Sequence, residues 1–215
     1  MFIEVVDAFR CPRPHEATWL VASADRMEDR DILAGELGCP VCGARYPIVN
    51  GVADFRGDGA AAAGGPAVRA EADLAQLGLR AAALLGLTEP GGLAVLAGAW
   101  ADAAHQVAAL VEGVHLLAVD PHADVSSGFG VSVARVPAAL PLRAESVRAV
   151  ALDTAHATPA FLASSAAALR PSGRLLVPAG AGLPAGVVER ARDAHDVLGE
   201  KTGLTGLARA PRLVR

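Results

Sequence analysis

Cys39-Pro-Val-Cys42-Gly43 is the most specific chemical signal in the chain. Two thiolates at this spacing can take adjacent corners of a tetrahedral metal, and the glycine lets the backbone turn around it. A structural zinc needs two more ligands. Cys11-Pro-Arg-Pro-His15 supplies a thiol and an imidazole in a proline-stiffened turn, so the predicted set is Cys11, His15, Cys39 and Cys42. A segment of under 60 residues often needs such a metal staple to fold. The bland alternative makes the cysteines small core hydrophobes and His15 a surface residue. An aspartate or another displaced ligand could also take the His15 corner.

Other residues offer weaker chemistry. Asp153 and His156 follow an apolar strand, at the end where α/β sheets place ligands. A general base there is conceivable, and a solvated loop is the simpler expectation. His105, His115, His122 and His195 show no ligand spacing and read as surface or capping residues. Ser126-Ser-Gly-Phe-Gly130 lacks the Gly-Lys-Ser/Thr ending of a phosphate loop. No Gly-x-Ser-x-Gly is present, which argues against a serine hydrolase. Arg209, Arg212 and Arg215 make a small basic tail.

The chain of 215 residues, 53% hydrophobic and 20% charged, can bury a real core. Its net charge of −4 disfavours direct nucleic-acid binding through phosphate contacts. No apolar run reaches the roughly 18 residues of a membrane span. The N-terminus lacks the basic-then-apolar pattern of a secretory leader. Three cysteines, an odd number, point to metal or thiol chemistry in a reducing compartment. A cytoplasmic location is the expectation.

The positioning elements divide in two. The stretch from Arg56 to Pro66 is nearly all Gly and Ala, and reads as a linker over 57–67 that would span roughly 18 Å. Residues 1–59 hold ten acidic and six basic side chains, whereas 60–215 hold 13 of each. In residues 68–215, helical patterns at 70–87, 101–111 and 158–169 alternate with apolar strands at 93–97, 114–119, 131–136, 147–152 and 174–177. Continuous apolar strands between helices mean a parallel sheet covered on both faces. The expected order is 3-2-1-4-5, closed by a hairpin from 204–209 and 212–215. Asn50-Gly51 predicts a tight hairpin between 46–48 and 52–55.

A family resemblance attaches to residues 1–56. The CxxC pair followed by Tyr46, Pro47, Ile48, Gly51 and Val52 resembles the small zinc-domain family that activates tRNA, rRNA and release-factor methyltransferases. The first ligand pair departs from that family, which usually has two cysteines where this chain has Cys11 and His15. The resemblance implies that these strands form a docking edge for a methyltransferase. The zinc module is therefore expected to meet the second part through apolar strand edges.

Residues 90–180 are similar in layout to a class I S-adenosylmethionine-dependent methyltransferase. The run 140–153, beginning Leu-Pro-Leu-Arg, resembles the family's approach to its fourth strand, and Leu169-Arg-Pro-Ser-Gly-Arg-Leu-Leu resembles the approach to the fifth. The implied fold class is α/β, a Rossmann-like methyltransferase sheet with a small N-terminal zinc-binding β-rich module. The resemblance places Gly98 at the first glycine of the cofactor turn and Asp120 at the residue that holds the ribose. Trp100 and Asp102 stand where the next two glycines belong, Leu96 stands at the usual acid, and Pro137-Ala138 lacks the adenine acceptor. An indole in the turn is expected to take space the methionine moiety needs. Conventional S-adenosylmethionine binding is thus argued against. The reading is a pseudo-methyltransferase that docks on a methyltransferase or on itself. The alternative is an active methyltransferase assisted in cis by its zinc module.

Overall fold

A computed structural model describes residues 1–57 and 69–203. From Asp58 onward the expected linker lies outside the described residues, as do the expected 204–215 hairpin and the Arg209, Arg212 and Arg215 tail. After a single helical turn, α1 (Ile3–Val6), four strands form an antiparallel meander: β1 (Val21–Glu28), β2 (Asp31–Gly38), β3 (Arg45–Val49) and β4 (Val52–Asp54). The β3–β4 turn is the one Asn50-Gly51 predicts, with φ of +51° and +78° at its two residues. Both lie in the left-handed region that Asn and Gly tolerate and that a two-residue hairpin requires.

The second part contributes α2 (Glu71–Leu85), β5 (Leu93–Ala97), α3 (Ala104–Leu110), β6 (His115–Val119), β7 (Val131–Arg135), β8 (Val147–Ala151), α4 (Pro159–Ala168) and β9 (Leu169–Pro178). A 3-10 turn over Gly98–Ala103 precedes α3, so the helix starts later than its pattern suggested. Two antiparallel strands follow, β10 (Val187–Arg192) and β11 (Asp196–Lys201). The parallel strands run β7-β6-β5-β8-β9, which is the expected 3-2-1-4-5, and β11 then inserts between β9 and β10. β5 is buried along its whole length, as its uninterrupted apolar sequence requires for a strand covered on both faces.

The two parts share one sheet. β4 pairs in parallel with β7, matching Val52 to Val133, Ala53 to Ala134 and Asp54 to Arg135, which completes an eleven-stranded order from β1 to β10. They also share a core. Phe9, Tyr46, Ile48 and Phe55 belong to the same buried cluster as Val95, Leu117, Val150 and Phe161. The Phe55 ring lies 4.9 Å from Phe9 and 5.0 Å from Tyr46, centroid to centroid. Burial of each such side chain contributes about 1.5–3 kcal/mol. On the opposite face, α2 and α3 cover a second cluster containing Leu85, Leu96, Trp100, Val107 and Leu116. Thr158 caps α4 by accepting the Phe161 N–H, with Pro159 in the first turn, as the sequence predicts.

Candidate functional site

Cys11, His15, Cys39 and Cys42 come together at the end of the meander. One ligand atom from each lies within 4.8 Å of all the others. Cys39 N donates to the Ala44 carbonyl and Gly43 N to that of Cys39, closing the knuckle, with Gly43 at φ +68°. Cys11 is set by its N–H to Thr18 O and by the adjacent Arg10–Trp19 bridge. The Sγ atoms of Cys11 and Cys42 are 3.7 Å apart, and Cys39 Sγ is 3.4 Å from His15 Nε2. A tetrahedral zinc with Zn–S of ~2.3 Å and Zn–N of ~2.0 Å separates two sulfurs by about 3.8 Å and sulfur from nitrogen by about 3.5 Å. The donor set fits zinc.

The surroundings suit that role. His15 Nδ1 lies 2.6 Å from the Glu16 carbonyl, and donating there leaves the Nε2 lone pair facing the sulfurs. The Tyr46 hydroxyl sits 3.4 Å from Cys11 Sγ. Burial pushes the Cys11 thiol up, whereas at Cys39 the backbone N–H groups of Cys42 and Val41 overcome burial and hold the thiol down to about 6.

The second constellation lies where the strand order reverses, between the carboxyl ends of β5 and β8. Gly98 follows β5 with φ +59°, Asp120 follows β6 with φ +46°, and Asp153 follows β8. Asp153 is not in a solvated loop, which corrects the simpler sequence expectation. Its side chain is 12% exposed and that of His156 is 11% exposed. Asp153 Oδ2 accepts the Ala99 N–H at 2.9 Å, and Oδ1 accepts the His156 N–H at 3.0 Å. His156 Nδ1 is 2.6 Å from Asp153 Oδ1, and Nε2 is 3.5 Å from Asp120 Oδ2. Asp120 Oδ1 accepts the Val136 N–H at 3.3 Å. Burial opposes both charges, yet the pairing prevails: His156 is pushed up to about 9 by Asp120 and Asp153, and Asp153 is held down to about 2, chiefly by His156.

Trp100, in the turn after β5, is 7% exposed and belongs to the buried cluster under α2 and α3. Leu96 is fully buried in the same cluster. Asp102 is 4% exposed and accepts the His122 and Ala123 N–H groups at 2.7 and 2.8 Å, with Arg69 Nε at 3.3 Å, so it braces the loop after Asp120. His122 is exposed, as expected, and its ring nitrogens lie 3.8 Å from Asp102 and 3.7 Å from Asp153. His115 stacks on Phe2 at 4.1 Å, and His105 meets the Ser126 carbonyl. Ser127 holds no phosphate loop together; it donates to the Gly51 carbonyl and accepts from the Met1 amino nitrogen.

Asp153 and His156 as a buried pair are what sequence reasoning missed. The Asp-x-x-His spacing just after an apolar strand was the available signal.

No protein-family model matches the chain. No curated protein matches it either. Solved structures do. A geranyl diphosphate methyltransferase in complex with SAM is 16% identical over 48% of this chain and 48% of that one, with a TM-score of 0.38. Haemonchus contortus phosphoethanolamine N-methyltransferase 2 with S-adenosylhomocysteine is 16% identical over 55% of this chain and 30% of that one, at 0.41. A methyltransferase in complex with the Haloferax volcanii Trm112 methyltransferase activator is 18% identical over 52% and 61%, at 0.36. The chain thus spans less than two thirds of the length of each. The fold is α/β, with a Rossmann-like parallel sheet at its centre. Its strand order carries that statement, and a β-rich N-terminal part with a four-donor Cys/His cluster extends the sheet. Among the described residues no helix is long and apolar enough to cross a membrane.

Proposed function

We propose that this chain is a pseudo-methyltransferase, a regulatory or interaction protein. Residues 1–56 are its activator-like module, 57–67 a linker and 68–215 its methyltransferase-like domain. One observation carries the reading. The turn after β5, where a methyl donor's backbone contacts belong, is taken up by Asp153, with Ala99 N–H already bonded to its carboxylate. Leu96 in place of an acid and Pro137-Ala138 in place of an adenine acceptor support the same reading. Zinc at Cys11, His15, Cys39 and Cys42 is structural here, fixing the meander whose last strand lies against β7. The protein partner is a methyltransferase or a second copy, in the cytoplasm.

The second reading is an active methyltransferase with an atypical cofactor loop, activated in cis. The parallel β4–β7 pairing favours it, because the module already sits on the edge of the sheet. Whether the purified protein carries or takes up S-adenosylmethionine separates the two. A dissociation constant of about 10 μM or tighter overturns the pseudoenzyme reading, and no uptake at millimolar donor supports it.

A further inference from the structure

The chain places its own charged groups where an open α/β sheet admits a ligand. Such sheets hold ligands outside the carboxyl ends of the strands, at the point where strand order reverses. Here that point lies between β5 and β8. Gly98 has the positive φ and the missing Cβ that permit close approach, and the group that approaches is the Asp153 carboxylate. A Cβ added at Gly98 would run into that carboxylate. Ala99 N–H, a donor of the same turn, is bonded to it. His156 spans the other side, with one ring nitrogen toward Asp153 and the other toward Asp120, and the edge of Phe161 against it at 5.0 Å.

We propose that Asp153 and His156 form a latch, an internal occupant of the crevice that must leave Gly98 and Asp120 before an external ligand can enter. The Asp153 carboxylate supplies the acceptor that a ligand's carboxylate would offer to the turn. The His156 ring supplies the donor that a ligand's hydroxyl or ammonium would offer to Asp120. Thr154 and Ala157 border an open cleft of about 500 Å³, with Pro178, Ala179 and His195 on its other walls. His122, 3.7 Å from Asp153, Asp102 behind it, and Arg56, which interacts with the Asp120 charge, are titratable or charged groups around the latch. The inference rests on the pseudoenzyme reading and adds how the crevice is closed and what would open it.

Calorimetry with S-adenosylhomocysteine tests the latch, using the full chain, Asp153→Ala, Asp153→Asn and His156→Gln, each shown to be folded by circular dichroism. The expected result is no measurable binding to the wild type and binding at least ~10-fold tighter to the Asp153 variants, about 1.4 kcal/mol or more. NMR titration of the His156 ring gives a reading independent of any ligand: its high pKa should fall in Asp153→Asn. Folded variants that bind no better than a non-binding wild type overturn the latch and leave the pseudoenzyme reading standing. A wild type that binds at about 10 μM or tighter overturns that reading, and the latch with it. An unmoved His156 titration in Asp153→Asn also overturns the latch.

Discussion

His156 Nδ1 lies 2.6 Å from Asp153 Oδ1, and the backbone N–H of His156 bonds the same carboxylate oxygen. One carboxylate therefore fixes both the loop and the ring. The same carboxylate accepts the Ala99 N–H on the neighbouring strand's turn, so β5 and β8 are joined at their carboxyl ends by a charge-assisted hydrogen bond. A ligand entering between them must replace those bonds or leave buried charge unpaired, and an unpaired buried charge is costly.

The pair makes stability depend on pH in a defined direction. His156 titrates near 9 in the folded chain, above its ordinary 6.5, so its stabilisation is complete below about 6.5 and is lost as pH rises through 9. Asp153 titrates near 2, below its ordinary 3.8, so its share is present above about 4 and is lost as pH falls through 2. The two shifts overlap in the Asp153–His156 contact; His156 draws on Asp120 as well, and Asp153 on the Ala99 N–H. Urea unfolding should give its highest midpoint between pH 4 and 6.5 and a lower one at pH 9.5. In His156→Gln the decline between pH 6.5 and 9.5 should flatten; an unchanged decline would mean that another group sets it.

Protein purified without added metal should contain one zinc per chain by elemental analysis. Zinc content near zero with residues 1–56 still folded rejects the metal site. Cobalt substitution offers a second reading, since three thiolates and one imidazole give tetrahedral d–d bands together with thiolate-to-cobalt absorption. Cys39→Ser should remove most of the bound metal. His15→Ala should lower affinity and keep the thiolate absorption, because three sulfurs remain.

What could be read in the sequence follows from where apolar residues are continuous. β5, β6 and β8 are short apolar runs, and Asn50-Gly51 is a turn signal with a single geometry, so those elements and the order 3-2-1-4-5 were legible. β1 was not. Its sequence Val-Ala-Ser-Ala-Asp-Arg-Met-Glu is exposed along most of its length at the end of the sheet, so no buried face imposes a period of two. β10 failed for the same reason, although Asp193, whose carboxylate accepts the His195 and Asp196 N–H groups, marks the β10–β11 turn. That Cys11, His15, Cys39 and Cys42 come together was legible because thiol spacing is chemistry. The Trp100 environment was not, since a sequence shows which residue stands in a turn and not which way its side chain faces.

The shared sheet predicts one unfolding transition. The separation suggested by the Gly/Ala stretch implies two, with Cys39→Ser melting only the first part. Since β4 pairs with β7 and Phe55 is in the common core, zinc chelation should lower the midpoint of a single transition followed by far-UV and tryptophan signals together. Gly51→Ala probes the junction directly. It forces a side chain into φ +78° and against Ser127, which ties the β3–β4 turn to the loop before β7. The expected cost is about 1–3 kcal/mol, with coincident probes. Separate transitions at the two probes would show that the module unfolds by itself.

Trp100→Gly distinguishes a plugged turn from a latched one. If the indole closed the crevice, its removal would open space for S-adenosylhomocysteine. The side chain instead belongs to the buried cluster between α2, α3 and the sheet, which also holds Ala81, Leu85 and Ala104. Removing it there leaves a cavity among residues that are themselves almost fully buried, which should cost about 3–5 kcal/mol, a little more for the glycine's added backbone freedom. Chemical denaturation measures that loss, and calorimetry on the folded fraction should detect no gain in binding. Trp100→Phe should recover much of the stability and bind no better. Binding gained in Trp100→Gly but not in Asp153→Ala would place the obstruction at the indole and remove it from the carboxylate.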